Sequence, residues 1–419
     1  MDMHERVRAG MLEATRLVGA GSLVEATALI QRALRGMPVP DATVAADPTA
    51  NVSKNPPIEG VFRVMDDTFI SAKSPAEELL SRFRLQMPPH WQGDSDPAVR
   101  PIPVRDETPD VAPGGRFLSG SYSNHAGSRT YKLYIPSGYH GQTLPLVVML
   151  HGCKQNPDDF AIGTRMNILA EEHQCFVVYP AQAQSANGSN CWNWFKTTDQ
   201  QRDRGEPSII AGITRQIIST YPVDKQRVYV AGLSAGGAMA ATMGMTYPDL
   251  YAAVGVHSGL PHAVAHDLPS ALAAMHGGAV PSQSQYNGIP GAGQCRQAVP
   301  TIVFHGDRDT KVHPSNGDKV TAQWTTTHIH GGANTKTEAS PRVTVQRGQV
   351  PGGHAYTRAT HLDGDGKTIV EQWRIHGAGH AWSGGSPRGS YTDPRGPDAT
   401  REMMRFFYEH PAREGGTVC

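Results

Sequence analysis

The chain has 419 residues, of which 38 are basic and 38 acidic, so its net charge is near zero and bulk electrostatics draws it neither to nucleic acid nor to an anionic membrane surface. No apolar run approaches the ~20 residues of a membrane span, and five cysteines without a C-x-x-C pair leave no common zinc or thioredoxin-type motif. The opening residues, Met1-Asp-Met-His-Glu-Arg6, lack a basic stretch leading into an apolar core, so a cytoplasmic location is expected unless a leader was removed.

In chain order, residues 7–36 read as a helical hairpin. Met11, Ala14, Leu17 and Val18 share one helical face, and Gly19-Ala-Gly21 interrupts it. Ser22 with Glu25 makes a capping box, and Leu23, Ala26, Ile30 and Leu34 form a second apolar stripe. Two short amphipathic helices cannot bury their apolar faces alone. They are expected to pack on the main domain, on a second copy in a homodimer, or on a partner such as a granule surface. Residues 37–115 carry two proline clusters and read as a linker, with one short helix over 76–87.

From Arg116 the pattern changes. Residues 117–123 and 129–135 alternate as a β-hairpin, and Leu144–Leu150 is an unbroken apolar run that predicts a buried central strand. Residues 158–172 read as a helix, 175–179 as a strand and 208–220 as a helix. A strand from Val228 and a small-residue helix follow, then strands at 252–257, 301–305 and 371–376, and a closing helix at 399–408. Strands alternating with helices predict an α/β fold with a mostly parallel, doubly wound sheet and helices on both faces. Residues 260–299, long and rich in Gly and Pro, read as an insertion of the lid type. The expected division is therefore 1–36 hairpin, 37–115 linker and 116–419 catalytic domain.

The chemistry gathers where the apolar strand from Val228 runs into Gly232-Leu-Ser234-Ala-Gly236. A serine on a sharp strand-to-helix turn needs small residues two before and two after it, and its successor's N–H can face a developing oxyanion. Ser234 is the candidate nucleophile and Ala235 N–H the candidate first oxyanion donor. A nucleophilic serine requires a base and an orienting acid, in the order Ser, Asp, His for this fold. Strand 301–305 runs into Gly306-Asp307-Arg-Asp309, so two carboxylates stand past a strand end. Asp309 is preferred as the acid, with Asp307 as a turn carboxylate. His380, in the Gly377-Ala-Gly379-His380 loop, is the candidate base, and His376, still within the expected strand, is read as structural. His151-Gly152-Cys153 follows the central strand, so Cys153 N–H is the candidate second donor. No cofactor or metal is expected.

Five segments together resemble short-chain polyhydroxyalkanoate (PHB) depolymerases: Leu150-His-Gly-Cys-Lys-Gln155, Cys191-Trp-Asn-Trp-Phe195, Gly232-Leu-Ser-Ala-Gly236, His305-Gly-Asp-Arg-Asp309 and Gly379-His-Ala-Trp-Ser-Gly384. The oxyanion segment precedes the elbow, as in the type 1 catalytic domain of that family, whose superfamily includes feruloyl and acetylxylan esterases. The resemblance covers about 116–419. It implies the α/β-hydrolase fold, Ser234 as nucleophile, His380 as base, Asp309 as acid and a carboxylic ester as substrate. The expected function is hydrolysis of 3-hydroxyalkanoate polyester or oligomers. The alternatives are a feruloyl or acetylxylan type of carbohydrate esterase, a serine peptidase, or a granule-associated protein that only binds.

Trp192, Asn193 and Trp194, with Trp382, have two readings: a ring-lined surface that docks substrate, or packing. Cys191 precedes that cluster and Cys153 sits in the oxyanion loop, so a bridge between them would fasten both loops about the site. A reducing compartment would instead leave both as free thiols.

Overall fold

The structure, a computed structural model, describes residues 108–278, 299–331 and 342–412. The expected helical hairpin 1–36, the linker to 107, residues 279–298 of the insertion, and Cys295 and Cys419 lie outside the described residues. All the described residues fall within one compact unit, Arg84–Cys419. Among them no helix is long and apolar enough to cross a membrane.

A ten-stranded sheet forms the framework, in the order β1-β2-β4-β3-β5-β6-β7-β10-β9-β8. The strands are β1 (Arg116–Asn124), β2 (Gly127–Ile135), β3 (Leu144–Leu150), β4 (Phe176–Pro180), β5 (Val223–Leu233), β6 (Ala253–His257), β7 (Thr301–Gly306), β8 (Arg342–Gln349), β9 (Ala355–Leu362) and β10 (Thr368–Ile375). The six central strands, from β4 to β10, run parallel. Antiparallel pairs extend the sheet at both sides. The central strands are apolar along their whole length because both faces are covered: every residue of β3, β4, β6 and β7 is buried. A small parallel pair, β11 (Trp382–Ser383) and β12 (Thr392–Asp393), lies apart.

The helices are α1 (Pro157–Thr164), α2 (Met166–His173), α3 (Gly205–Thr220), α4 (Ala235–Thr246), α5 (Leu268–Met275), α6 (Ser315–Gly331) and α7 (Ala399–Glu409). One face of the sheet is packed by Ile210 and Ile213 of α3, Met239 and Met243 of α4, and Trp324 of α6. The other is packed by Phe160 of α1, Leu169 of α2, and Met403, Phe406 and Phe407 of α7. The doubly wound α/β expectation therefore describes the molecule.

Four local differences have physical reasons. The single helix expected over 158–172 is two, because Arg165 adopts the left-handed conformation at φ 57° and its N–H caps Ala161. The hairpin β8–β9 was not foreseen. It lies at the sheet edge, its outer strand is almost wholly exposed, and the only apolar alternation in that strand is Val343 and Val345, both facing solvent. His376 stands just past the end of β10 rather than within it. Finally, the folded body begins before 116. Asp110 pairs with Arg388 at 2.9 Å, its carbonyl accepts from Asn167, and Ala112 N–H reaches the Tyr134 hydroxyl.

Candidate active site

Parallel strands deliver their following loops to one edge of the sheet. Leu233, His257, Phe304 and Trp373 stand in one row across β5, β6, β7 and β10. Ser234 follows that row by one residue on its strand, Asp309 by five and His380 by seven. All three therefore emerge at the carboxyl edge.

Ser234 has φ 57° and ψ −118°, a conformation that costs roughly 1–3 kcal/mol and persists only where its surroundings enforce it. The enforcement is local. Ser234 N–H donates to His257 O at 2.8 Å, and Ser234 O accepts from Ala238 N–H at 2.9 Å. A Cβ at Gly232 would collide with the Gly236 carbonyl, and one at Gly236 with the Leu150 carbonyl. Strand, turn and helix can therefore meet only through glycine. Among the described residues the Ser234 hydroxyl makes no hydrogen bond. The serine–histidine contact of such sites is often long until substrate arrives.

Asp309 and His380 are in contact, with Nδ1 of the ring 2.7 Å from Oδ2. Asp309 is almost fully buried. Its Oδ1 accepts the N–H groups of Lys311 and Val312, each at 2.9 Å. His305 Nε2 stands 3.3 Å from Oδ2 and 2.9 Å from Val312 O. Because that carbonyl can only accept, Nε2 carries the proton. Burial alone would raise the Asp309 carboxyl, but the His380 and His305 imidazoles beside it hold it well below the usual carboxylate range.

Asp307, the other carboxylate of the loop, belongs to a different pair. Its Oδ2 stands 2.8 Å from His376 Nδ1, and its Oδ1 accepts from Gly377 N–H at 2.7 Å. His376 Nε2 contacts the Thr357 hydroxyl at 2.8 Å. This one loop thus supplies the acid of two Asp–His pairs, one buried at the nucleophile's edge and one at the surface.

The loop after β3 is held by a buried network. Gly152 N–H donates to Gln155 Oε1 at 2.9 Å, and Gln155 Nε2 donates to Asp159 and to Ser390 O, both at 3.1 Å. Lys154 and Gln155 donate their N–H groups to Ser189 and Gly152. Among the described residues the Cys153 N–H has no such partner. Ala235 N–H, first in α4, is likewise uncommitted, so both candidate oxyanion donors stand at this edge. A disulfide joins Cys153 to Cys191.

The four residues weighed as substrate contacts are placed in the interior. Trp192 is fully buried, its indole N–H donating to His151 O at 3.1 Å. Asn193 is held by Glu206 through its backbone N–H and its amide, both at 2.7 Å. Trp194 is buried against Phe195. Trp382 is buried, stacked on His257 with ring centroids 5.0 Å apart, and donates to Thr400. The packing reading describes what these side chains touch.

Sequence reasoning missed four supports. His257 is buried and stacked between Phe304 and Trp382. Its Nε2 accepts from Ser383 N–H at 3.0 Å, and burial keeps the ring neutral. His151, pushed down to about 4 by burial, accepts from Gln182 N–H. Gln155 and His305 lie inside motifs already singled out, and that adjacency was the signal available.

The model of the family described as Esterase PHB depolymerase matches residues 129–345, just over half of the chain. The chain is 29% identical over 263 residues to poly(3-hydroxyalkanoate) depolymerase C of Paucimonas lemoignei, covering 62% of this chain and 60% of that one. It is 28% identical over 212 residues to a probable acetylxylan esterase A of Aspergillus fumigatus, covering 48% and 56%. The chain thus spans less than two thirds of the length of these curated relatives. Among solved structures, an acetyl xylan esterase from Aspergillus awamori superposes with a TM-score of 0.51 at 19% identity, over 70% of this chain and 99% of that one, a likeness of fold. With the parallel sheet, the strained serine and the family match in place, the chain belongs to the PHB-depolymerase esterase family of α/β hydrolases.

Proposed function

We propose that the chain is a serine ester hydrolase acting on 3-hydroxyalkanoate polyester or its oligomers, with Ser234 as nucleophile, His380 as base and Asp309 as acid. The observation that carries this reading is the buried Asp309–His380 contact of 2.7 Å at the edge where Ser234 is held at positive φ. Ser234 Oγ attacks the ester carbonyl while His380 Nε2 takes its proton. Asp309, kept ionised, fixes the proton on His380 Nδ1 and stabilises the imidazolium. The N–H groups of Cys153 and Ala235 receive the oxyanion. The tetrahedral centre collapses with the alcohol taking the proton from His380. Water then enters by the same steps and releases the acid. The names of the relatives support an ester substrate, and the first of them supports a hydroxyalkanoate.

The Cys153–Cys191 disulfide supports a working compartment that keeps it oxidised, and so weighs against the cytoplasmic location expected from the sequence. The test of function is product release from a panel: amorphous polyhydroxybutyrate, hydroxybutyrate oligomers, feruloyl and acetylated xylan fragments, and p-nitrophenyl acyl esters. Oligomer cleavage at the highest kcat/KM is expected, and release of ferulate or acetate alone would move the substrate to a carbohydrate ester. Ser234→Ala should lower kcat by about 10⁴–10⁶ with an unchanged unfolding curve. Retention of a tenth of the activity would remove Ser234 from its role.

A further inference from the structure

A polar cleft of about 710 Å³ opens beside the site and contains none of Ser234, Asp309, His380 or Cys153. It lies between the β1–β2 turn at His125, the segment after the disulfide at Asn193, Lys196 and Asp199, and the start of α3 at Arg204 and Glu206. The topology fixes where it stands. β4 ends at Pro180 on the carboxyl edge, and Pro180 pairs with Tyr131 of antiparallel β2, so the β1–β2 turn stands at that edge. α3 lies between parallel strands β4 and β5, and its first turn must start at the same edge. From β5, which carries Ser234, through β3 to β4 and β2 is two to three strand spacings, about 10–15 Å. Asn193 is two residues from Cys191, whose Cα lies 4.2 Å from that of Cys153. Chain reach alone therefore keeps the cleft wall within about 12 Å of the oxyanion loop.

The charges in the cleft are unevenly spent. Glu206 is buried and saturated: it accepts from Arg129, Gln182 and both nitrogens of Asn193. Arg129 also donates to Gln182 and to the Ser128 carbonyl. Asp203 is an exposed carboxylate of the cleft: it accepts from the Tyr247 hydroxyl at 3.3 Å and lies 3.9 Å from Arg202, whose two terminal nitrogens are given to Asp249. Asp199 accepts the Glu206 N–H at 2.7 Å. Burial and the neighbouring Glu206 raise its carboxyl to about 6, so much of its charge is withdrawn in mildly acidic solution. Lys196 and Arg204 are exposed and, among the described residues, form no ion pair. No large apolar side chain lines the cleft. The exposed charges that meet a ligand are therefore two cations, Lys196 and Arg204, and one carboxylate, Asp203, with Lys196 also within electrostatic reach of buried Asp199.

We propose that this cleft is a subsite for the free terminal carboxylate of a short oligoester, held on the alcohol side of the scissile bond. The inference rests on the ester-hydrolase reading above. In a hydroxyacid chain the fragment that leaves as the alcohol is the one that carries the free carboxyl end, so a carboxylate anchor must belong to the leaving group. An extended chain crosses about 10–15 Å in about two or three ester repeats, at some 3.5 Å for each three backbone atoms. The enzyme would then cut a fixed short distance from the carboxyl end of soluble oligomers, in preference to random positions within a polymer.

The test compares the 3-hydroxybutyrate tetramer as free acid with its methyl ester, for the wild type and for the Lys196→Met, Arg204→Met double variant. The wild type should favour the free acid by about tenfold in kcat/KM at low salt, the size of one charge-assisted contact, with the advantage fading in high salt. The double variant should bring the ratio to near one. Because the ratio is taken within one protein, a general loss of activity cancels. Binding of the trimer acid to Ser234→Ala, followed by calorimetry, gives a readout that needs no turnover. Tight binding without hydrolysis by the wild type would keep the cleft and overturn the oligomer-hydrolase reading. Equal rates on acid and methyl ester, or a ratio that survives the double substitution, would overturn the subsite.

Discussion

Asp307 and Asp309 stand two residues apart on one loop, and each has a histidine as partner. Their surroundings separate them. Asp309 accepts two backbone N–H groups on one oxygen and faces two imidazoles on the other, with almost no exposure. Asp307 is exposed, and its partner His376 turns its other nitrogen to Thr357. Both carboxylates hold Nδ1 of a ring, but only His380 has, among the described residues, an Nε2 left to act as a base. Asp309→Asn should therefore lower kcat by about 10⁴, since an amide presents an N–H where Nδ1–H must donate. Asp307→Asn should stay within a few-fold. Steady-state rates on a p-nitrophenyl ester give the ranking, and the reverse order would move the acid to Asp307. Position relative to a strand end made both carboxylates legible in the sequence. The choice between them came from the motif form, and burial, which the sequence does not print, is what sets them apart.

At the scale of elements, legibility followed burial on both faces. β3 could be read from Leu144–Leu150 because a strand covered on both sides must be apolar throughout. The elbow could be read because the crossing of β5 and α4 over Leu150 tolerates no Cβ at Gly236. The hairpin β8–β9 could not: Arg342–Gln349 faces solvent along nearly its full length, and nothing there repays alternation. The break at Arg165 was equally hidden, since a left-handed residue other than glycine leaves no mark in composition. The disulfide lies between these cases. Loop position suggested it and the fold brings Cys153 and Cys191 together. Closing a loop across 38 residues should contribute roughly 2–4 kcal/mol by restricting the unfolded chain. The same bond holds the segment that presents the Cys153 N–H. Cys191→Ser should lower the urea midpoint accordingly and reduce ester turnover as well. Identical unfolding curves with and without reductant would show that the bridge bears no load.

Over the whole molecule, stability should depend on pH through its buried histidines. His151 and His262 are pushed down to about 4 by burial, and His257 lies well below its ordinary value, first through burial and then through the neighbouring His305 and His380. Each is lowered from an unfolded value near 6.5. Their folded pKa is depressed, so their contribution is present above 6.5 and is lost as pH falls toward 4. Over that window the unfolded chain binds three protons that the native chain refuses, at about 1.4 kcal/mol per proton per pH unit. Asp199 and Glu371 act in the opposite sense. Burial raises both, Asp199 to about 6, so the native state takes up their protons first and gains on acidification. Three protons against one or two leave a net loss of about 2 kcal/mol between pH 6 and pH 5. Urea unfolding at pH 7, 6 and 5 should show midpoints that fall steadily. His262→Gln should make the fall shallower by up to about 1.4 kcal/mol per pH unit, because among the described residues His262 bonds only Thr242 and Gln323 and lies outside the candidate triad. A midpoint unchanged from pH 7 to pH 5 would mean that these histidines carry their protons in the native state. The stacks of His257 on Phe304 and Trp382 would then have to accommodate a buried cation, which burial opposes, since among the described residues His257 bonds Ser258 and Ser383 and no carboxylate.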